Sequence, residues 1–199
     1  MATHKPAAAL RWRTYKCCTF QPFLANFLCG AALEAGLSPL EILSDRAILQ
    51  PIGILPTLKY RKLHARVQED DREHESICSY YDKVTRECQI WSHRPGECSL
   101  YYCARDRNEE ALSTKRQDWA LKSLNVEANL AQMALAYLGF SPRQIAEQVQ
   151  WINDPPVNST ALKATEARDL YHSSWRWLNE QDPLEVQGWL GFDNALVRE

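Results

Sequence analysis

The sequence of residues 134–145 is ALAYLGFSPRQI, and it predicts a corner between two helices. Gly139 can adopt the left-handed conformation that closes a helix. Ser141 then caps the next helix, Pro142 suits its first position, and the glutamine two residues later completes a capping box. A similar order of residues, ALEAGLSPLEI, occupies positions 32–42 and predicts a second corner of the same kind. We interpret the two as independent corners rather than as a duplication.

Apolar residues at helical spacing predict two long helices in the C-terminal half, over residues 119–138 and 159–179. The paired prolines of residues 153–157 cannot continue a helix, and a short final helix is expected to start at Asp182. The expected buried residues are Leu121, Leu124, Ala128, Ala131, Leu135 and Leu138 in the first long helix, and Leu162, Leu170, Tyr171, Trp175 and Leu178 in the second, with Trp177 and Trp189 also in the core. The expected fold class is mainly α, a small helical domain with an irregular cysteine-rich metal-binding segment.

Length and charge limit the function classes. The 199 residues suffice for one domain, residues 1–199, with a substantial core. A formal net charge of −2 gives no reason to expect a nucleic-acid binder. No apolar run approaches the roughly 20 residues that a membrane span needs, and the N-terminus does not resemble a signal peptide. The sequence therefore predicts a cytoplasmic protein in a reducing compartment, where disulfides are rare.

Cysteines are the main chemical feature, because six of the seven fall into two groups. The first group is Cys17 and Cys18. The second is Cys78, Cys88, Cys98 and Cys103, in a stretch with no helical stripe and few apolar residues. We therefore expect a metal to order residues 50–103. Thiolates bind zinc and iron–sulfur clusters, but no C-x2-C pair of the kind typical of zinc sites is present. Cys29 lies on a predicted helix and is expected in the core.

The second cysteine group resembles the YkgJ-type zinc- or iron-chelating cysteine-rich domain family. The specific part is CQIWSHRPGEC, residues 88–98, in which a cysteine, an apolar–aromatic pair, Arg-Pro and a second cysteine follow one another. Cys17 and Cys18 match the vicinal cysteines that end the N-terminal block of that family. The family has a further cysteine three residues before the pair, where this chain has Thr14 and Tyr15. The resemblance covers residues 12–105, and residues 115–199 form a separate helical region.

Proteins of this kind, including the flagellin lysine methylase group, are associated with an iron–sulfur cluster. The resemblance implies a [4Fe-4S] cluster as the cofactor, with zinc as the alternative. The ligand set that it implies is Cys18, Cys78, Cys88, Cys98 and Cys103, with Cys17 close behind. His74 and His93 are alternative ligands. Arg94 either donates hydrogen bonds to cluster sulfides or to Asp82, or simply braces a turn. The tyrosines beside these cysteines are expected to shield the site: Tyr80, Tyr81, Tyr101 and Tyr102.

Three functions stay open on the sequence alone. The first is an iron–sulfur protein with a redox or enzyme-accessory role, acting with a protein partner. The second is a structural zinc-binding interaction module. The third is a protein-modifying enzyme of the flagellin-methylase type. The sequence contains neither a glycine-rich nucleotide loop nor the C-x3-C-x2-C spacing of radical S-adenosylmethionine enzymes, and it does not decide whether the protein is an enzyme.

Overall fold

The computed structural model describes residues 20–66, 77–100, 110–155 and 160–182. These residues are mainly α-helical, as the sequence predicts, with small sheets that it does not predict. The helices are α1 (Asn26–Glu34), α2 (Leu58–Arg66), α3 (Gly96–Leu100), α4 (Glu110–Tyr137), α5 (Pro142–Asn153) and α6 (Ala164–Asn179). The strands are β1 (Leu24–Ala25), β2 (Ala47–Gln50), β3 (Gly53–Pro56), β4 (Tyr81–Asp82) and β5 (Glu87–Cys88). The final helix expected from Asp182 and the position of Trp189 lie outside the described residues.

A three-stranded antiparallel sheet in the order β1-β3-β2 divides the interior into two cores. Successive side chains of a strand point to opposite faces. Accordingly, Leu55 and Ala25 pack in the first core, whereas their chain neighbours Ile54 and Leu24 pack in the second. The first core lies against α4 and α5. The second core lies against α6 and the β4–β5 hairpin, and its buried members are Leu24, Cys29, Leu40, Ile54, Cys78, Tyr80, Ile90, Ala167 and Tyr171.

Helix α1 lies between the two cores, because Phe27 packs in the first and Cys29 in the second. The side chain of Asn26 is fully buried and donates through Nδ2 to the carbonyl oxygens of Pro51 and Ala131, at 3.2 Å each. One amide thus links the β2–β3 turn to α4. A buried polar group costs little free energy when it is hydrogen-bonded in this way.

The corner predicted at residues 134–145 is confirmed. Gly139 has a φ of +86°, and α5 begins with Pro142 after the N-cap Ser141. The Ser141 hydroxyl accepts from the Gln144 backbone N–H, and the Gln144 side chain accepts from the Ser141 N–H at 2.9 Å. Phe140 and Ile145 both pack against the first core.

The corner predicted at residues 32–42 is only half correct. Helix α1 ends as expected, with Gly36 at a φ of +78°. Ser38 does not cap a second helix, however, and residues 37–46 form turns that lead into β2. Leu40 is buried in the second core, and Glu41 pairs with Arg168 of α6 at 3.2 Å instead of closing a capping box. Tertiary contacts therefore determine the path of the chain after α1.

The two long helices exist, with different bounds and partly different buried faces. Helix α6 begins at Ala164 rather than at 159, because the backbone N–H of Leu162 donates to Leu49 of β2. Along α4, Leu130, Ala131 and Leu135 are buried. The prediction that Leu121 is buried is wrong, because this residue is 61% exposed.

Candidate functional site

The β4–β5 hairpin holds two of the predicted ligands. Tyr81 in β4 pairs with Cys88 in β5, and the Tyr81 N–H donates to the carbonyl of Cys78. The turn between the strands is stabilised locally by Asp82, whose carboxylate accepts the N–H groups of Val84 and Thr85. These hydrogen bonds lower the pKa of Asp82. The hairpin therefore brings Cys78 and Cys88 into one small element.

Both of these cysteines face the second core. Cys78 is buried, and Cys88 is partly buried and packs against the same apolar residues. Tyr80 and Ile90 anchor the hairpin with almost no exposed surface. Apolar packing of these two side chains thus contributes to holding residues 77–90, and the role of a metal in ordering residues 50–103 stays a prediction.

Cys29 also lies in the second core, and its predicted core role is confirmed. It is fully buried, and its Sγ donates to the carbonyl of Leu24 at 3.4 Å. Burial raises the pKa of the Cys29 thiol well above its ordinary value. A neutral buried thiol behaves as a small apolar group. Cys29 thus contributes packing at the edge of the candidate site.

Tyr80 lies in the same core as Cys29 and Cys78. Its side chain is fully buried, and its hydroxyl has no hydrogen-bond partner in the part of the chain that the structure describes. Burial raises the pKa of Tyr80 well above its ordinary value, and the thiols of Cys29, Cys78 and Cys88 add to the shift. The sequence predicts that tyrosines shield the site, but it does not indicate a buried hydroxyl that lacks an acceptor.

Gln21 fixes the chain that follows the first cysteine group. It is fully buried; its backbone N–H donates to the Tyr60 hydroxyl at 2.8 Å, and its side-chain Oε1 accepts from the Ser79 N–H at 2.9 Å. Its Nε2 is buried and has no hydrogen-bond partner within the described ranges. Gln21 is three residues after Cys18, and Ser79 follows Cys78 directly. Sequence analysis missed Gln21, although its position just after the cysteine pair could have suggested it.

Cys98 lies on the short helix α3 and is partly buried. Arg94, just before this helix, stacks its guanidinium 3.5 Å from the centre of the Trp91 ring and donates through Nε to Ser99 at 3.0 Å. Arg94 thus contacts a hydroxyl and an aromatic ring next to α3. The nearby His93 has a buried Nδ1 without a hydrogen-bond partner.

A partly buried carboxylate attaches α3 to α4. The Glu127 Oε1 accepts the Gly96 N–H at 2.6 Å, and its Oε2 is buried without a partner. Burial raises the pKa of Glu127 to about 7, the Gly96 hydrogen bond lowers it, and the charge of Glu97 raises it. The contact is tight, because a Cβ at Gly96 would lie 1.5 Å from the Ser123 hydroxyl oxygen. Glu127 was not singled out by the sequence.

We expect Glu127 to make the protein less stable as the pH rises from about 4.5 to about 7. Because the pKa of Glu127 is raised in the folded state, the folded protein retains a proton that the unfolded chain releases. The stability that this proton contributes at low pH is therefore lost as the pH rises through the folded-state pKa. The loss should be about 2 kcal/mol, allowing for partial exposure. Chemical denaturation at a series of pH values measures it. Glu127→Gln keeps the Gly96 hydrogen bond and should make the unfolding free energy less dependent on pH over this range. An unchanged pH dependence contradicts the role assigned to Glu127.

The remaining predicted ligands, Cys17, Cys18 and Cys103, lie outside the described residues, as do His74, Tyr101 and Tyr102. Within the described ranges, no three His, Cys, Asp or Glu side chains are grouped closely enough to hold a metal ion. No disulfide joins any two of the four described cysteines. The structure therefore brings Cys78 and Cys88 together and leaves the complete ligand set a prediction.

No helix in the part of the chain that the structure describes is long and apolar enough to cross a membrane. No protein-family model, curated protein or solved structure matches the chain.

Proposed function

We propose that this chain is a metal-binding protein that coordinates a [4Fe-4S] cluster through cysteines and serves a redox or enzyme-accessory role with a protein partner. The proposed ligands are drawn from Cys18, Cys78, Cys88, Cys98 and Cys103, with Cys17 as the alternative at the N-terminal end. A reducing cytoplasmic compartment suits this proposal, because thiols persist there.

The observation that carries the proposal is the hydrogen bond between the Gln21 side chain and the Ser79 backbone. It attaches the chain just after the first cysteine group to the residue just after Cys78. The hairpin adds Cys88 to the same place. Residues far apart in sequence are thereby available to one centre, as a four-thiolate cluster requires.

The surroundings of Cys78 suit an anionic group. The Tyr80 hydroxyl and the Gln21 Nε2 are buried donors that have no acceptor among the described residues. Tyr80 directly follows Ser79, and Gln21 accepts the hydrogen bond from the Ser79 backbone. Such a donor costs about 1–3 kcal/mol when it is left unpaired. Thiolate and sulfide sulfurs accept hydrogen bonds, and these contacts tune a cluster that the cysteines bind. The cluster would supply one-electron chemistry, and the protein residues would hold it and exclude water.

Anaerobic purification followed by absorbance spectroscopy and metal analysis tests the proposal. We expect a broad visible charge-transfer band, with iron and acid-labile sulfide in equal amounts. Reconstitution of the apoprotein with ferrous iron and sulfide should restore the band. A colourless protein that retains stoichiometric zinc after the same procedure favours the structural zinc module instead, and a protein that binds neither metal overturns the proposal.

A further inference from the structure

The Tyr80 hydroxyl is a buried donor without a partner among the described residues, in a core that also contains thiols. Tyr80 is fully buried, and Cys29, Cys78 and Tyr171 share the second core with it, while Cys88 packs against that core. Buried polar groups in native proteins almost always have a hydrogen-bond partner, so an exception calls for an explanation such as a ligand.

Tyr171 shows what a buried phenol normally does in this core. It is as deeply buried as Tyr80, and its hydroxyl donates to the carbonyl of Gln50 at 2.8 Å. The two tyrosines therefore share a residue type, a degree of burial and an apolar environment. They differ in that only Tyr171 has an acceptor for its proton.

Tyr80 shares its core with the thiols of Cys29 and Cys78, and Cys88 packs against the same core. Cys78 precedes Tyr80 by two residues, and the Gln89 N–H donates to the Tyr80 carbonyl at 2.8 Å, which places the residue after Cys88 beside Tyr80. A neutral thiol is a weak acceptor, whereas a metal-bound thiolate carries negative charge and accepts a strong, charge-assisted hydrogen bond. The Tyr80 hydroxyl is thus suited to a sulfur that is bound to iron.

We propose that the Tyr80 hydroxyl donates a hydrogen bond to the cluster-bound sulfur of Cys78 or Cys88 and thereby raises the reduction potential of the cluster. This inference rests on the proposed [4Fe-4S] function. Reduction adds one electron to the oxidised cluster, and the added negative charge is shared by its sulfurs. A donor that keeps its proton stabilises the reduced form more than the oxidised form. Tyr80 acts here as a positioning and tuning residue and gives up no proton.

The test is a dithionite redox titration of the reconstituted full-length protein, as wild type, Tyr80→Phe and Tyr171→Phe. Tyr80→Phe removes only the hydroxyl. We expect its ratio of reduced to oxidised cluster at a fixed potential to fall about tenfold, which corresponds to a potential about 59 mV more negative for a one-electron couple. Tyr171→Phe is the matched control and should lower thermal stability while leaving the potential unchanged.

A second measurement separates hydrogen bonding from packing. Electron–nuclear double resonance on the reduced cluster should detect a strongly coupled, exchangeable proton in wild type and in Tyr171→Phe, and the signal should be lost in Tyr80→Phe. A cluster-loaded Tyr80→Phe protein with an unchanged potential and an unchanged proton signal overturns the role of Tyr80 while leaving the cluster proposal intact. Wild-type protein that binds no iron and sulfide overturns both.

Discussion

Cys98→Ala is expected to give a colourless protein with less than about a tenth of the wild-type iron, because loss of a ligand weakens metal binding more than the 10–100-fold typical of an outer-shell change. A structural metal site contributes roughly 10–16 kcal/mol of apparent binding free energy, which is comparable with the 5–15 kcal/mol that stabilises a whole domain. Cys88→Ala should behave in the same way. Metal analysis and limited proteolysis measure the two effects.

The proteolysis should be selective. Residues 50–56 are held by pairing in the three-stranded sheet, so the new cleavage sites should fall in residues 77–100 and not across the whole of residues 50–103 as the sequence alone suggests. Cys29→Ala is the matched control, since Cys29 is a buried cysteine bonded to the Leu24 carbonyl. It should keep its iron and lose only about 1–2 kcal/mol of stability. Equal iron contents in Cys98→Ala and Cys29→Ala would rule out Cys98 as a ligand.

Gly30→Ala is expected to destabilise the fold by about 3 kcal/mol or more, because overpacking at a rigid contact cannot relax cheaply. Gly30 of α1 lies directly against α6, where an added Cβ would meet the Tyr171 carbonyl oxygen at 2.0 Å and the Trp175 Cβ at 2.6 Å. The first of these atoms belongs to helix backbone, so relief requires the two helices to move apart. Equilibrium denaturation monitored by circular dichroism measures the loss.

Gly36→Ala provides the control for this second prediction. Gly36 ends the same helix with a φ of +78°, and an added Cβ there would meet nothing within 4 Å. Its cost should therefore be backbone strain alone, about 1–2 kcal/mol. If Gly30→Ala is no more destabilising than Gly36→Ala, the close packing of α1 on α6 is not a main determinant of stability.

Local chemistry explains which helix signals the sequence predicted correctly. At Ser141 the cap, the proline and the glutamine all lie within four residues, and their hydrogen bonds form without help from the rest of the chain. At Ser38 the same pattern fails, because Glu41 is drawn to Arg168 and Leu40 is buried in the second core. The Glu41–Arg168 pair joins residues 127 positions apart, and the second core collects residues from several segments, so a local pattern holds no information about either.

The candidate site also has some features that the sequence predicts and others that only the tertiary structure shows. The grouping of the cysteines and the motif from Cys88 to Cys98 are visible in the sequence, and they predict a cysteine-ligated metal. The burial of Cys78, the Gln21–Ser79 hydrogen bond and the unpaired Tyr80 hydroxyl are not visible there. They depend on the hairpin packing against α1 and α6, which are separated from it in the chain.

The sequence by itself thus determined the mainly helical character, the corner at Gly139 and the cysteine pattern, because caps, helical spacing and residue type act over a few neighbouring positions. Only the tertiary structure decided that a small sheet separates two cores, that Gly30 is a contact between helices, and that Tyr80 is buried among thiols. The physical reason is that burial and long-range pairing arise from the folded arrangement of many segments at once.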